Sequence, residues 1–239
     1  VDRISAWTHV AATEDHLLFY DTATGEAATA AIDSSGNLTV LQRYDNFAPG
    51  WTNIAAIQNR LLFYNAATAE LATAEIDAAG NHRFISFLSP SSTGSWTTLI
   101  SAQNTFLFYN ETGGGGATAQ IDAEGNYVPL QSFLGLSAGW AQIAGTQHHV
   151  LFYSPGANFA VTGEFLEEGM YRDLFGYADF STGWTHVNAL KVETLVYPEQ
   201  PVLDPVIDLI RPEDLLNLRV DCRNLQLDKS DRANPVLVP

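Results

Sequence analysis

Trp51-Thr52-Asn53-Ile54, Leu61-Leu62-Phe63-Tyr64, Ala72-Thr73-Ala74-Glu75-Ile76-Asp77 and Phe84-Ile85-Ser86-Phe87-Leu88 are four short apolar runs in one stretch of chain. They are rich in aromatic and β-branched side chains, and Asn, Asp, Ala and Gly separate them. That is the pattern of strands joined by tight turns. Asp77-Ala78-Ala79-Gly80-Asn81 suits a hairpin, because Gly and Asn tolerate the positive φ of such turns. A helix pair would need apolar spacing of three and four over ten or more residues, and the first 200 residues show none.

The same stretch recurs along the chain. Tryptophans stand at positions 7, 51, 96, 140 and 184, and a tyrosine follows each by thirteen residues, at 20, 64, 109, 153 and 197. The second run returns as Leu17 to Tyr20, Phe106 to Tyr109 and Val150 to Tyr153. The third returns as Ala28 to Asp33 and Ala117 to Asp122, with Gly36, Gly125 and Gly169 at the place of Gly80. The fourth returns as Leu38 to Leu41 and Tyr127 to Phe133. A period of about 44 residues with four strands per unit fits one propeller blade. The reading is an all-β, five-bladed β-propeller with four antiparallel strands per blade, spanning 1–227, with a C-terminal tail at 228–239.

The fifth unit keeps Trp184 and Tyr197 but lacks the Ala-Thr-Ala and Gly signatures. Pro205 to Ile210 and Leu215 to Cys222 fall where its third and fourth strands belong. Residues 205–239 either complete that blade or begin another domain. In a closed ring the innermost strands are crowded and favour small residues, as in Val10-Ala11-Ala12-Thr13, Ile54-Ala55-Ala56-Ile57 and Ile143-Ala144-Gly145-Thr146.

Composition narrows the function. Eleven basic against 27 acidic residues give a formal charge of −16, which disfavours nucleic acid and polyanionic membrane surfaces. The single cysteine, Cys222, excludes an internal disulfide and a thiolate zinc site. No run has the length of a membrane span, and no signal peptide is visible. A start at Val1 rather than Met is read as a processed product or an excised piece.

Tandem Trp-containing repeats with Gly-Trp lead-ins at Gly50-Trp51, Gly139-Trp140 and Gly183-Trp184 resemble the five-bladed tachylectin-2 lectins. That resemblance implies N-acetylated sugars bound at equivalent places between blades, and an extracellular location. The Leu-Leu-Phe-Tyr strand followed later by Gly-Trp-Thr also resembles bacterial FG-GAP/VCBS-type propeller repeats. Those often carry an Asp-rich calcium loop before that strand. Here Thr13-Glu14-Asp15-His16, Ile57-Gln58-Asn59-Arg60 and Thr146-Gln147-His148-His149 stand in its place, so no metal and no cofactor is expected.

Near-identical blades create near-identical clefts, and linked weak sites gain avidity. Sugar recognition needs an aromatic face and short polar side chains. The candidates are Trp7, Trp51, Trp96, Trp140 and Trp184, with Tyr20-Asp21, Tyr64-Asn65, Tyr109-Asn110 and Tyr153-Ser154. The tyrosine hydroxyls are expected beside polar turns, within reach of solvent. Loops at Tyr44 to Phe47, Phe133 and Tyr177 to Phe180 are a second set, and His9, Asn53, Thr98, Gln142 and His186 a third.

Catalysis is not expected. His148 and His149, if in a strand, point to opposite faces, and the presumed inner strands carry no carboxylate. Asp33, Asp77 and Asp122 recur at one turn, which argues for a structural role. The function read from the sequence is a multivalent glycan-binding lectin. The alternative is a propeller serving as a protein-interaction or targeting module, excised from a larger secreted polypeptide.

Overall fold

Among the described residues alternating apolar runs build four four-stranded sheets, with Asp-X-X-Gly-Asn turns between the third and fourth strands of the first three. The computed structural model describes residues 7–89, 95–180, 184, 186–187, 226–227 and 237–238. Sheet 1 contains β1 (His9–Ala12), β2 (Leu17–Tyr20), β3 (Ala27–Ile32) and β4 (Leu38–Tyr44). Sheet 2 contains β5 (Asn53–Ile57), β6 (Arg60–Asn65), β7 (Glu70–Ile76) and β8 (His82–Leu88). Sheet 3 contains β9 (Thr98–Ala102), β10 (Thr105–Tyr109), β11 (Gly116–Ile121) and β12 (Tyr127–Phe133). Sheet 4 contains β13 (Gln142–Gly145), β14 (Val150–Ser154), β15 (Phe159–Phe165) and β16 (Tyr171–Ala178). Every sheet is an antiparallel meander in chain order, and the first strands of successive sheets lie side by side.

The chain divides into two compact units, Val1–Val192 and Glu193–Pro239. In the second unit β17 (Gln226–Leu227) pairs with β18 (Leu237–Val238), on either side of the tail boundary expected at 227. The strands expected at 205–210 and 215–222, and Tyr197, lie outside the described residues. Among the described residues no helix is long and apolar enough to cross a membrane.

The repeated residues are repeated fastenings. Trp7, Trp51, Trp96 and Trp140 lie just before the first strands, not within them, and each rests on the phenylalanine of its second strand. The pairs Trp7–Phe19, Trp51–Phe63, Trp96–Phe108 and Trp140–Phe152 have ring centroids 5.7–6.0 Å apart. The threonine after it hooks the following turn: Thr8, Thr52 and Thr97 donate to the carbonyls of Tyr20, Tyr64 and Tyr109 at 3.1–3.2 Å. Their hydroxyls also accept the amides of Thr22, Ala66 and Glu111.

A second fastening joins neighbouring sheets. Between the third and fourth strands the register slips at Thr29, Thr73, near Thr118 and at Thr162, a β-bulge repeated in every sheet. Thr29, Thr73 and Thr118 are fully buried, and their hydroxyls donate to the carbonyls of Gly80, Gly125 and Gly169 in the next sheet at 2.6–2.8 Å. Those glycines have φ of +77 to +92°, which is why the turn repeats Gly. Asp33, Asp77 and Asp122 organise the turns of Gly36, Gly80 and Gly125, accepting the amides of Asn37, Asn81 and Asn126 at 2.7–2.8 Å. The structural role expected of these aspartates is the one they have.

Candidate functional site

Tyr20, Tyr64, Tyr109 and Tyr153 lie at or one residue before the ends of the second strands and sit at 0–1% exposure, so their hydroxyls do not reach solvent as expected. Tyr20 donates to the Ala48 carbonyl at 2.8 Å and accepts the Trp51 amide at 3.2 Å. Tyr109 donates to the Ser137 carbonyl at 2.8 Å and accepts the Trp140 amide at 3.1 Å, and the Trp96 amide donates to Tyr64 at 3.1 Å. The hydroxyl thus locks the lead-in of the next repeat, because a buried phenol needs partners and the chain passing over it supplies them. Burial raises the Tyr20 and Tyr109 pKa values, so both remain neutral donors. Tyr153 is equally buried.

The residues beside them shape turns. Asp21 accepts the Ala23 amide at 2.8 Å, Asn65 the Ala67 amide at 3.0 Å, and Asn110 the Gly113 amide at 2.7 Å. Asn110 also donates to the Ser95 carbonyl. Ser154 ends β14, and its carbonyl accepts the Ala157 amide. Of the third set, His9 bridges sheets: Nε2 lies 2.9 Å from the Thr52 carbonyl, which can only accept, so the proton is on Nε2. Its Nδ1 lies 3.0 Å from the Thr8 hydroxyl and 3.1 Å from the Thr22 hydroxyl. His148 and His149 occupy the turn between β13 and β14 rather than a strand. Among the described residues no three His, Cys, Asp or Glu side chains are grouped to hold a metal ion.

The clefts between sheets are not equivalent, which corrects the expectation of repeated identical sites. Between sheets 1 and 2 the cleft is filled by Phe47, 5% exposed, whose ring lies 4.4 Å from His82, 5.2 Å from Phe84 and 6.2 Å from Phe63. Phe87 covers Trp51 at 6.2 Å. Trp51 is 3% exposed as a result.

Between sheets 3 and 4 every one of those fillers is replaced. Leu136 takes the place of Phe47 in the loop before the tryptophan. In the register of β15 and β16, Asp173 opposite Gly163 takes the place of Phe84 opposite Ala74, and Gly176 opposite Val161 that of Phe87 opposite Ala72. A cleft of about 670 Å³ opens there, within the range of small-molecule sites. Trp140 and Phe159 stack in its wall with centroids 6.0 Å apart and planes at 28°. Phe133 and Phe175 add further apolar surface, and Tyr171 with Asp173 supplies a polar pole.

Tyr171 donates to Asp173 Oδ1 at 2.6 Å. Burial, the bond to Asp173 and its charge raise the tyrosine pKa, so Tyr171 stays a donor at any working pH. Trp140, among the sequence candidates, lies in this cleft, whereas Trp7, Trp51, Trp96 and Trp184 do not. Trp7 and Trp96 are half-buried, and Trp184 is 51% exposed. The sequence reading missed Phe159, Tyr171 and Asp173. The signal lay at the positions where sheet 4 departs from the repeat.

The filled cleft has its own consequence. His82 is enclosed by Tyr44, Phe47, Phe63 and Phe84, its Nε2 has no hydrogen-bond partner, and burial pushes its pKa down to about 4. The unfolded chain takes up that proton near pH 6.5, so it binds more protons than the native state and stability falls as pH drops from about 6.5 to about 4. The expected total is about 3 kcal/mol, flat again below pH 4. Bonds from Asn37 and Asn81 lower the Asp33 and Asp77 pKa values, and they act only below the ordinary aspartate range. Urea titrations between pH 7 and 4 should show the slope, and His82→Phe should remove it.

No protein-family model and no curated protein matches the sequence. Solved structures do match the fold. A candidate 6-phosphogluconolactonase from Bacteroides uniformis aligns with a TM-score of 0.52 at 9% identity, over 71% of this chain and 55% of that one. A protein of unknown function from Desulfotomaculum acetoxidans gives 0.51 at 10%, over 69% and 53%. A candidate 6-phosphogluconolactonase from Bacteroides fragilis gives 0.50 at 15%, over 72% and 56%. These likenesses show a propeller-like all-β fold, and the chain spans little more than half the length of the structures it matches.

Proposed function

We propose that this chain is a carbohydrate-binding protein, a lectin, whose principal site is the cleft between sheets 3 and 4. The observation that carries the reading is the stacked Trp140–Phe159 wall beside the Tyr171–Asp173 pole. A pyranose presents an apolar C–H face and a rim of hydroxyls, and this cleft offers an aromatic surface and charge-assisted acceptors at matching places. Trp7, Trp96 and Trp184, less buried than Trp51, would supply shallower sites, with Asp21, Asn110 and Ser154 as rim groups. Linked weak sites of this kind suit multivalent binding of extracellular glycans.

The corresponding architecture is a closed five-bladed ring. Two faces support it. Ile32 of sheet 1 is 57% exposed while Ile76, at the same place in sheet 2, is 1% exposed. Among the described residues Thr162 of sheet 4 donates to the Phe175 carbonyl of its own sheet at 3.4 Å, where its three counterparts are fastened to a following sheet. A fifth sheet begun by the repeat at Trp184 would cover both. Hydrolysis is no part of this reading: β1, β5, β9 and β13 contain no carboxylate.

A glycan array probed with the purified chain tests the proposal. Binding to a related group of sugars, weakened at least tenfold by Phe159→Ala, is the expected result. Silence across the array, with a protein captured instead, would replace the lectin by an interaction module.

A further inference from the structure

We infer that the cleft between sheets 3 and 4 selects a pyranose bearing a free ammonium group, an amino sugar, over its neutral and N-acetylated counterparts. The inference rests on the carbohydrate reading above and adds the charge of the ligand.

One position of sheet 4 breaks with the other three sheets. Where sheet 4 has Asp173, sheets 1, 2 and 3 have Val40, Phe84 and Pro129, each opposite the corresponding small residue of the third strand. A position that is apolar in three sheets, and exposed in all four, has thus become a carboxylate in sheet 4 alone. Its Oδ1 accepts the Tyr171 hydroxyl, a neutral donor. Among the described residues the ion pairs are Arg60–Glu75, Arg83–Glu75 and Arg172–Glu164, and none involves Asp173. Even the adjacent Arg172 is engaged with Glu164. Among the described residues no cation takes the place beside this carboxylate.

The surroundings favour the same charge. Trp140, Phe159 and Phe175 line the cleft with Asp173, and aromatic faces attract an ammonium group as well as the C–H face of a sugar. The formal charge of −16 raises the local concentration of cationic ligands. A neutral sugar would gain only ordinary hydrogen bonds from Asp173. An acetamide would remove the charge and add bulk at the pole. With Asp173 exposed at the mouth, the expected gain for the cation is about fivefold in affinity.

The test is a titration of the whole chain, followed by NMR at pH 6, with glucosamine, N-acetylglucosamine and glucose. Glucosamine is expected to bind about fivefold more tightly than the other two. In Asp173→Asn that ratio should shrink towards one, with near-UV circular dichroism confirming a native fold. Equal affinities, tighter binding of either uncharged sugar, or an unchanged ratio in Asp173→Asn would overturn the ammonium preference and leave the lectin reading intact. Tetramethylammonium binding as tightly as glucosamine would also overturn it, since the sugar ring would then contribute nothing. If none of the three sugars binds at millimolar concentration the ammonium preference falls, and the lectin reading falls with it only if the glycan array is silent as well.

Discussion

Phe63→Ala is expected to lower the unfolding free energy by about 3–5 kcal/mol, the largest loss from any single truncation in the first two sheets. The ring is fully buried and touches four others: Trp51 at 5.7 Å, Phe47 at 6.2 Å, His82 at 6.0 Å and Phe84 at 5.5 Å between centroids. Removing it leaves a cavity whose walls are held by β8 and by the chain between β4 and β5, so collapse is limited and the cavity penalty adds to the lost transfer energy. Phe152 is the same residue in sheet 4, also buried, packed on Trp140 at 5.8 Å and Tyr171 at 5.4 Å. Its wall already borders an open cleft, so water can reach the space a truncation leaves. Phe152→Ala should therefore cost less, near the lower end of the same range. Urea unfolding of both variants, with the slope unchanged, is the check. Equal losses, or a loss below about 1 kcal/mol at Phe63, would mean that the two clefts are packed alike.

The contrast between those clefts explains what the sequence made legible. Spacing alone located the strands of sheets 1 to 3 and the first two of sheet 4, because Leu-Leu-Phe-Tyr, Ala-Thr-Ala and Asp-X-X-Gly-Asn carry the alternation and turn chemistry of a meander. It also drew attention to Tyr20, Tyr64, Tyr109 and Tyr153. They recur because each buried hydroxyl in a described bond fastens the next repeat, a long-range partner that local pattern does not reveal. Thr29, Thr73 and Thr118 recur for a like reason: their carbonyl partners lie 51 or 52 residues on. Repetition thus reports the scaffold. The cleft arises where repetition stops, at Leu136, Asp173 and Gly176, and a search for what recurs passes over such positions.

The second large effect follows from that point. Leu136→Phe together with Asp173→Phe restores in sheets 3 and 4 two of the side chains that close the first cleft, the counterparts of Phe47 and Phe84. The pair should occupy the space over Phe152 and Trp140 and reduce sugar binding by a hundredfold or more, on the order of 3 kcal/mol. Stability should stay within about 1–2 kcal/mol of the parent, since added apolar contact offsets crowding and the lost Tyr171–Asp173 bond. Isothermal titration and urea unfolding on the same sample separate the two effects. Retained affinity in a folded double variant would place the binding site elsewhere.

The most direct measurement is a crystal structure of the chain soaked with the best-binding sugar from the array. A pyranose is expected in the cleft between sheets 3 and 4, its C–H face on Trp140 and Phe159 and a polar substituent at Asp173. A sugar ordered only at other grooves, with that cleft holding solvent alone, would contradict the lectin site proposed for it.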